Sequence, residues 1–232
     1  MVVDCYQYCI HPALLCKRPC VYQCILHGVA RACNSRVSRV AAAGSYFNKQ
    51  RKLLKLEIKK VVIIGPESTG KSTLCKELAA HYNTVWCPEY AREYLLEKGM
   101  AYTYEDLTAI AKGQLALEEE VKSKAKESLL FVDTDMYVMK VWYEVAFQHC
   151  PTWILKEIAK SSCDLYLLCN TDLPWTKDSL REYPDLAMRQ RLFYMYKDIM
   201  VNSGVAWTEI SGKEGQRLQK AITTIDKIVD YK

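Results

Sequence analysis

The chain has 232 residues, half of them hydrophobic and a quarter charged, enough to bury one α/β core plus an appendage. No uninterrupted apolar run reaches the roughly 18 residues that a membrane span needs. The net charge of +5 is lopsided: residues 1–56 hold nine Lys/Arg against one acid, Asp4, so residues 57–232 carry 23 against 26 and offer no basic face for nucleic acid.

The first 56 residues also hold six of the eleven cysteines: Cys5, Cys9, Cys16, Cys20, Cys24 and Cys33. Their C-x3-C spacing does not match the usual structural zinc pairs. A disulfide framework would need an oxidising compartment, whereas the rest of the chain reads as intracellular. Arg31, Arg36, Arg39 and Ala41–Ala43 have the acid-poor, Arg-rich character of a transit peptide, into which six cysteines fit badly. Residues 1–56 are therefore expected to be a disordered extension or to lie outside the native functional protein, although no Met between Met1 and Met100 offers a later start. Residues 57–232 are expected to form one cytoplasmic globular domain.

From Leu56 onward strands and helices alternate. Val61–Ile64 is short, β-branched and apolar on both faces, as a central parallel strand must be. It runs directly into Gly65-Pro66-Glu67-Ser68-Thr69-Gly70-Lys71-Ser72-Thr73, which matches G-x4-G-K-[ST]. Glycines at both ends let the backbone curl so that successive N–H groups converge on phosphates. Lys71 is expected to reach the β- and γ-phosphates of ATP and Ser72 to ligate Mg²⁺. The helix from Ser72 to about Tyr82 presents its positive end to them. Thr84–Cys87 reads as a second strand stopped by Pro88. A long helix capped by Thr103, with Asp106 three residues on, reaches about Lys126. Leu129–Val132, Leu165–Cys169 and Ala206–Ile210 are three further strands, and a helix over about 215–229 closes the chain. The expected fold is α/β: a P-loop NTPase fold with a five-stranded parallel sheet and helices on both faces.

In such a sheet the chemistry sits just after the strands, at their C-terminal edge. Asp133 has the position of a Walker-B carboxylate that holds Mg²⁺ opposite Ser72, although an acid there also serves as a helix N-cap. Glu89 and Asp135 are the candidates for substrate work. Glu89 is preferred as the base for an attacking hydroxyl and Asp135 as a substrate binder, with the reverse assignment open. Tyr90 and Arg92 join the substrate set. Residues 171–191 read as a mobile lid, with Arg181, Arg189 and Arg191 as cations for the transferring phosphoryl group. Arg181 precedes the helix expected near Leu186, whereas Arg189 and Arg191, two apart on it, cannot share a face.

Gly-Pro-Glu-Ser-Thr-Gly-Lys-Ser-Thr at 65–73, Pro-Glu-Tyr-Ala-Arg-Glu-Tyr at 88–94, Asp-Thr-Asp at 133–135 and Leu-Pro-Trp-x-x-Asp-x-x-Arg at 173–181 together resemble the ribosylnicotinamide kinase domain of NadR-type proteins. The resemblance covers about residues 59–229. It implies a nucleoside-kinase fold with a lid and transfer of the ATP γ-phosphate to the 5′-hydroxyl of nicotinamide riboside. It further implies that Gly212 and Arg217 lie near the adenine and Trp175 near the lid hinge. Ser179 stands where glycine is expected in the lid. The histidines, His11, His27, His81 and His149, form no H-x-G-H pattern, so no adenylyltransferase step is expected of this chain.

A flat, cationic pyridinium riboside favours acidic groups and aromatic faces. Glu89, Asp135, Tyr90, Tyr94, Tyr137 and Trp142 are placed to supply them, and would also accept other nucleosides. The expected partner is thus a small nucleoside, with neither nucleic acid nor membrane; self-association is left open. The competing reading is a non-catalytic ATP-binding switch. It would need the loop and Asp133 but not Glu89 or the lid arginines.

Overall fold

The computed structural model describes residues 58–125 and 128–229. The Cys-rich segment 1–56, its metal, disulfide and transit readings, and the domain boundary at 57 lie outside the described residues.

Five strands form one sheet in the order β2-β3-β1-β4-β5, every neighbouring pair parallel. They are β1 (Lys59–Ile64), β2 (Val85–Cys87), β3 (Leu129–Asp133), β4 (Leu165–Cys169) and β5 (Trp207–Ile210). Seven helices connect or flank them among the described residues: α1 (Lys71–His81), α2 (Tyr90–Lys98), α3 (Tyr104–Lys124), α4 (Met136–Phe147), α5 (Thr152–Lys160), α6 (Leu186–Asn202) and α7 (Glu214–Val229).

The continuous apolar strands follow from burial on both faces. Val61 and Ile63 of β1, with Leu129 and Phe131 of β3, pack against Leu74 and Leu78 of α1 and Ala221 and Ile225 of α7. The alternate residues Val62, Ile64, Leu130 and Val132 face Val138 and Val141 of α4 and Leu192 and Tyr196 of α6. One-residue alternation thus sends each strand into two cores, which no half-exposed strand could do. A third cluster joins α2, α3, α4 and α5 through Leu95, Leu107, Ile110, Met139, Tyr143 and Ile154.

The expected elements stand where the pattern puts them, with ends shifted by one or two residues. Thr84 precedes β2, its hydroxyl donating to Leu129 O at 2.5 Å. Thr103 and Asp106 form the expected capping box, Thr103 N donating to Asp106 Oδ2 at 2.8 Å and Asp106 N to Thr103 Oγ1 at 3.3 Å. Asp106 does more than cap. Tyr94 Oη and Lys98 Nζ of α2 donate to it at 2.6 and 2.5 Å, fastening α2 to α3.

The chain order sends β2 and β3 to one side of β1 and β4 and β5 to the other. The reversal leaves a crevice at the C-terminal end of β1, where the phosphate loop begins.

Candidate active site

The loop 65–70 is held in its curl by local geometry. Gly65 lies at φ 140°, and a Cβ on it would stand 2.7 Å from Cys169 O, so only glycine fits. Gly70, at φ 77°, takes the N-cap position of α1 in the left-handed region. Pro66 O accepts from Thr69 Oγ1 at 2.7 Å and from Lys71 Nζ at 2.9 Å, which places the ammonium over the loop. In the first turn of α1, Ser72 Oγ donates to Asp133 Oδ2 at 2.5 Å.

Asp133 is 1% exposed, and its Oδ1 has no hydrogen-bond partner among the described residues. Burial pushes its carboxyl upward, an effect that Lys71 and Ser72 oppose. A buried carboxylate oxygen without a partner, beside a hydroxyl at the head of a phosphate loop, is a donor pair suited to a hard cation. Thr134 follows at φ 81°, a costly conformation for a β-branched residue. This turn lies between Asp133, which faces Ser72, and Asp135, which caps α4.

A cavity of about 240 Å³ opens from the loop. All of residues 65–73 line it, so Gly65, Glu67, Ser68, Thr69, Gly70, Lys71, Ser72 and Thr73 share one wall with Glu89, Arg92 and Arg181. Glu89 is the N-cap residue of α2, but its carboxylate bonds to no described residue. Burial, and secondarily the charge of Asp133, push its carboxyl up to about 7. Away from the loop the cavity turns apolar: Leu95, Met100, Val138, Val141, Trp142 and Leu180 line it. Trp142 Nε1 is taken by Tyr102 Oη at 2.9 Å, which leaves the flat indole as a wall rather than a donor.

A family model described as an AAA domain matches residues 60–217. The chain belongs to that family.

Similarity to curated proteins narrows the type of AAA domain. The chain is 26% identical over 157 residues to the trifunctional NAD biosynthesis/regulator protein NadR of Salmonella typhimurium, and 25% over 161 residues to that of Escherichia coli. These alignments take in 66% and 68% of this chain but only 38% and 39% of the NadR proteins, so the chain spans well under half of each relative's length. Among solved structures it resembles NadR in complex with NR, with TM-score 0.66 and 25% identity over 76% of this chain and 52% of that one. NadR in complex with NAD and AMP-PNP gives 0.62 at 24% identity, over 76% of this chain and 51% of that one. Thymidylate kinase from Candida albicans shares the fold, at TM-score 0.54 and 14% identity over 76% of this chain and 94% of that one. The resemblance to NadR-type proteins drawn from the motifs thus extends over about two thirds of the chain, and the fold is that of the P-loop nucleoside kinases.

Several residues of this AAA domain stand elsewhere than the sequence suggests. Asp135 does not reach the cavity. It is 6% exposed and accepts from Tyr137 N at 2.9 Å and Tyr166 Oη at 2.7 Å, so it caps α4 and ties it to β4. Tyr90 turns its ring onto α3: a Cβ at Gly113 would lie 2.2 Å from Tyr90 Cε1. Tyr94 bonds Asp106, and Tyr137 stacks edge-on against Tyr166, so Trp142 is the one of the four proposed stacking aromatics that lines the cavity.

Arg189 and Arg191 lie on α6 and do not line the cavity. Asp185 Oδ2 accepts from Met188 N at 2.8 Å and starts α6 at Leu186, so the irregular segment ends before them. Arg191 is exposed, whereas Arg189 is 4% exposed with Nε and Nη1 unpartnered. Trp175 donates to Glu67 Oε1 at 3.2 Å and does not line the cavity. Arg217 is buried beneath the loop, donating to Thr69 O at 2.9 Å, Asn170 O at 3.0 Å, Gly212 O at 2.8 Å and the Asp172 carboxylate. Gly212 N in turn donates to Asp172 Oδ2 at 2.5 Å. Arg217 therefore braces the loop at Thr69, and neither it nor Gly212 is among the residues that line the cavity.

Sequence reasoning missed Val138 and Val141 on α4, Leu192 and Tyr196 on α6, and Glu182 and Tyr183 of the lid, all lining the cavity. The one available signal was the i, i+3, i+7 spacing of Arg189, Leu192 and Tyr196, which marks a buried face without saying what it faces.

Proposed function

We propose that the chain is an ATP-dependent kinase that phosphorylates the 5′-hydroxyl of nicotinamide riboside, giving nicotinamide mononucleotide and ADP. The observation that carries this reading is one cavity in which a phosphate loop and Glu89, whose carboxylate bonds to no described residue, face an apolar lining that includes Trp142. With its N–H taken by Tyr102, Trp142 offers a base its flat face rather than a hydrogen bond. The acidic groups Glu89 and Glu182 beside it suit a cationic ring. Similarity to NadR solved with NR supports the same acceptor.

In this reading the backbone N–H groups of the loop after Pro66 and the Lys71 ammonium hold the phosphates of ATP. Glu89 accepts the proton of the attacking hydroxyl, a role that its raised carboxyl suits near neutral pH. Arg181 neutralises charge on the equatorial oxygens from the lid side. Ser72 and Asp133 would hold Mg²⁺, which when bound neutralises phosphate charge.

The test is ADP release by the full chain with ATP, Mg²⁺ and a panel of nucleosides including nicotinamide riboside, with the product identified by mass. Turnover dependent on nicotinamide riboside, and lost in Lys71→Ala, is the expected result. Nucleotide binding without stimulation by nicotinamide riboside would overturn it.

A further inference from the structure

An acid inside a phosphate loop is electrostatically wrong for the anion that the loop receives, unless its charge is satisfied elsewhere. Glu67 is such an acid. Its Oε1 accepts from Tyr183 N at 2.7 Å and Trp175 Nε1 at 3.2 Å, and its Oε2 accepts from Glu182 N at 2.8 Å. All three donors belong to the irregular segment between β4 and α6. Next to it, Ser68 Oγ accepts from Thr176 N at 3.0 Å. The chain therefore leaves the phosphate loop's carboxylate at Trp175, makes a short excursion, and comes back to the same carboxylate at Glu182 and Tyr183.

That excursion carries Arg181, which lines the cavity. Within it Arg181 N donates to Asp178 O at 3.2 Å and its guanidinium to Thr176 O, while Arg92 of α2 pairs with Asp178 at 2.8 Å. The excursion is thus tied within itself and to α2, and both of its ends are gripped by one carboxylate.

We propose that Glu67 is a positioning residue: its carboxylate clasps both ends of the lid and sets Arg181 over the phosphate loop. Its negative charge is matched by two amides and an indole rather than facing phosphate. Lid position and loop shape become one mechanical unit, so a lid that lets go of the loop also withdraws Arg181. The structural part stands on the hydrogen bonds alone; the catalytic consequence rests on the kinase reading above.

Glu67→Gln tests it at constant size, because an amide turns one acceptor atom into a donor that faces donors. The first readout is hydrogen exchange at the Glu182 and Tyr183 amides in the full chain, which needs no acceptor substrate. We expect exchange there to quicken about tenfold or more, as for loss of a charge-assisted bond, while amides of β1 keep their protection. With the acceptor in hand, kcat should fall about tenfold with the KM for ATP changed less than about threefold, and acceptor-independent ATP hydrolysis should rise relative to transfer. Trp175→Phe, which removes one donor at the surface, should give a smaller change in the same direction and add nothing on top of Glu67→Gln. It carries the test if the loop variant fails to fold.

Unchanged exchange at Glu182 and Tyr183 would overturn the proposal, as would a lowered KM for ATP in Glu67→Gln, which would mean that the carboxylate had faced phosphate. Faster lid exchange in a protein that phosphorylates no panel nucleoside would leave the clasp standing and refute the acceptor assignment instead.

Discussion

The two ends of the cavity are built in opposite ways. At the phosphate end one contiguous stretch, residues 65–73, supplies the wall, and backbone geometry does most of the work: Gly65 at φ 140° and Gly70 at φ 77° shape a curl that other residues cannot make. At the acceptor end, Glu89, Trp142, Arg181 and Tyr196 come from α2, α4, the lid and α6 and meet only when those segments pack. A backbone-made site is legible in a short motif and intolerant of change. A site made of side chains from several segments is invisible in any one of them and can be retuned residue by residue.

The sharpest way to break this comparison lies at the phosphate end. Lys71→Ala should lower turnover about 10³-fold, whichever nucleoside is offered, because it removes the charge that follows the transferring phosphoryl group. Steady-state kinetics with two different acceptors checks it; a loss confined to one acceptor would erase the distinction between the two ends.

Next in size is Glu89→Gln, expected to lower kcat about 10²-fold with little change in the KM for ATP. The carboxylate must be ionised to take a proton, and its carboxyl sits near 7. The wild-type kcat/KM for the acceptor should therefore fall as pH drops through about 7, and the Gln variant should lose that acid limb. A pH profile of both proteins decides it.

Trp142→Ala should raise the KM for the acceptor about tenfold and leave that for ATP unchanged, since it removes part of the apolar lining and nothing at the loop. Equal effects on both substrates would show that the ends are not separable.

Asp135→Asn sharpens the comparison from outside the cavity. It weakens the bond from Tyr166 to the cap of α4, so thermal unfolding should show a loss of about 1–2 kcal/mol while the acceptor KM moves less than about threefold. A large KM effect would restore Asp135 to the site.

The smallest effects separate two neighbouring arginines. Arg191→Ala should leave stability within about 0.5 kcal/mol of wild type. Arg189→Met should raise the melting temperature by a few degrees, because it replaces a buried guanidinium with two unpartnered nitrogens by an apolar chain of similar length.

These arginines show where sequence reading stops. Spacing established that Arg189 and Arg191 cannot face the same way, yet which of the two is buried depends on how α6 packs. Asp135 is a similar case. An acid two residues past Asp133 has the right position for substrate work, and the partner that claims it, Tyr166, lies 31 residues away on β4. Glu67 is the reverse: counted among the ATP-binding residues for its place in the loop, it bonds to residues 108–116 positions away.

By itself the sequence determined the five strands, the phosphate loop and the family, because each rests on local backbone chemistry or on burial periodic along the chain. Tertiary structure alone decided which carboxylate is left unpartnered, which aromatic forms a wall, and what the loop's own acid holds. Those are questions of which distant donors arrive at a given side chain. Most polar side chains buried by the fold find such partners, and no spacing within one segment reveals which they will find.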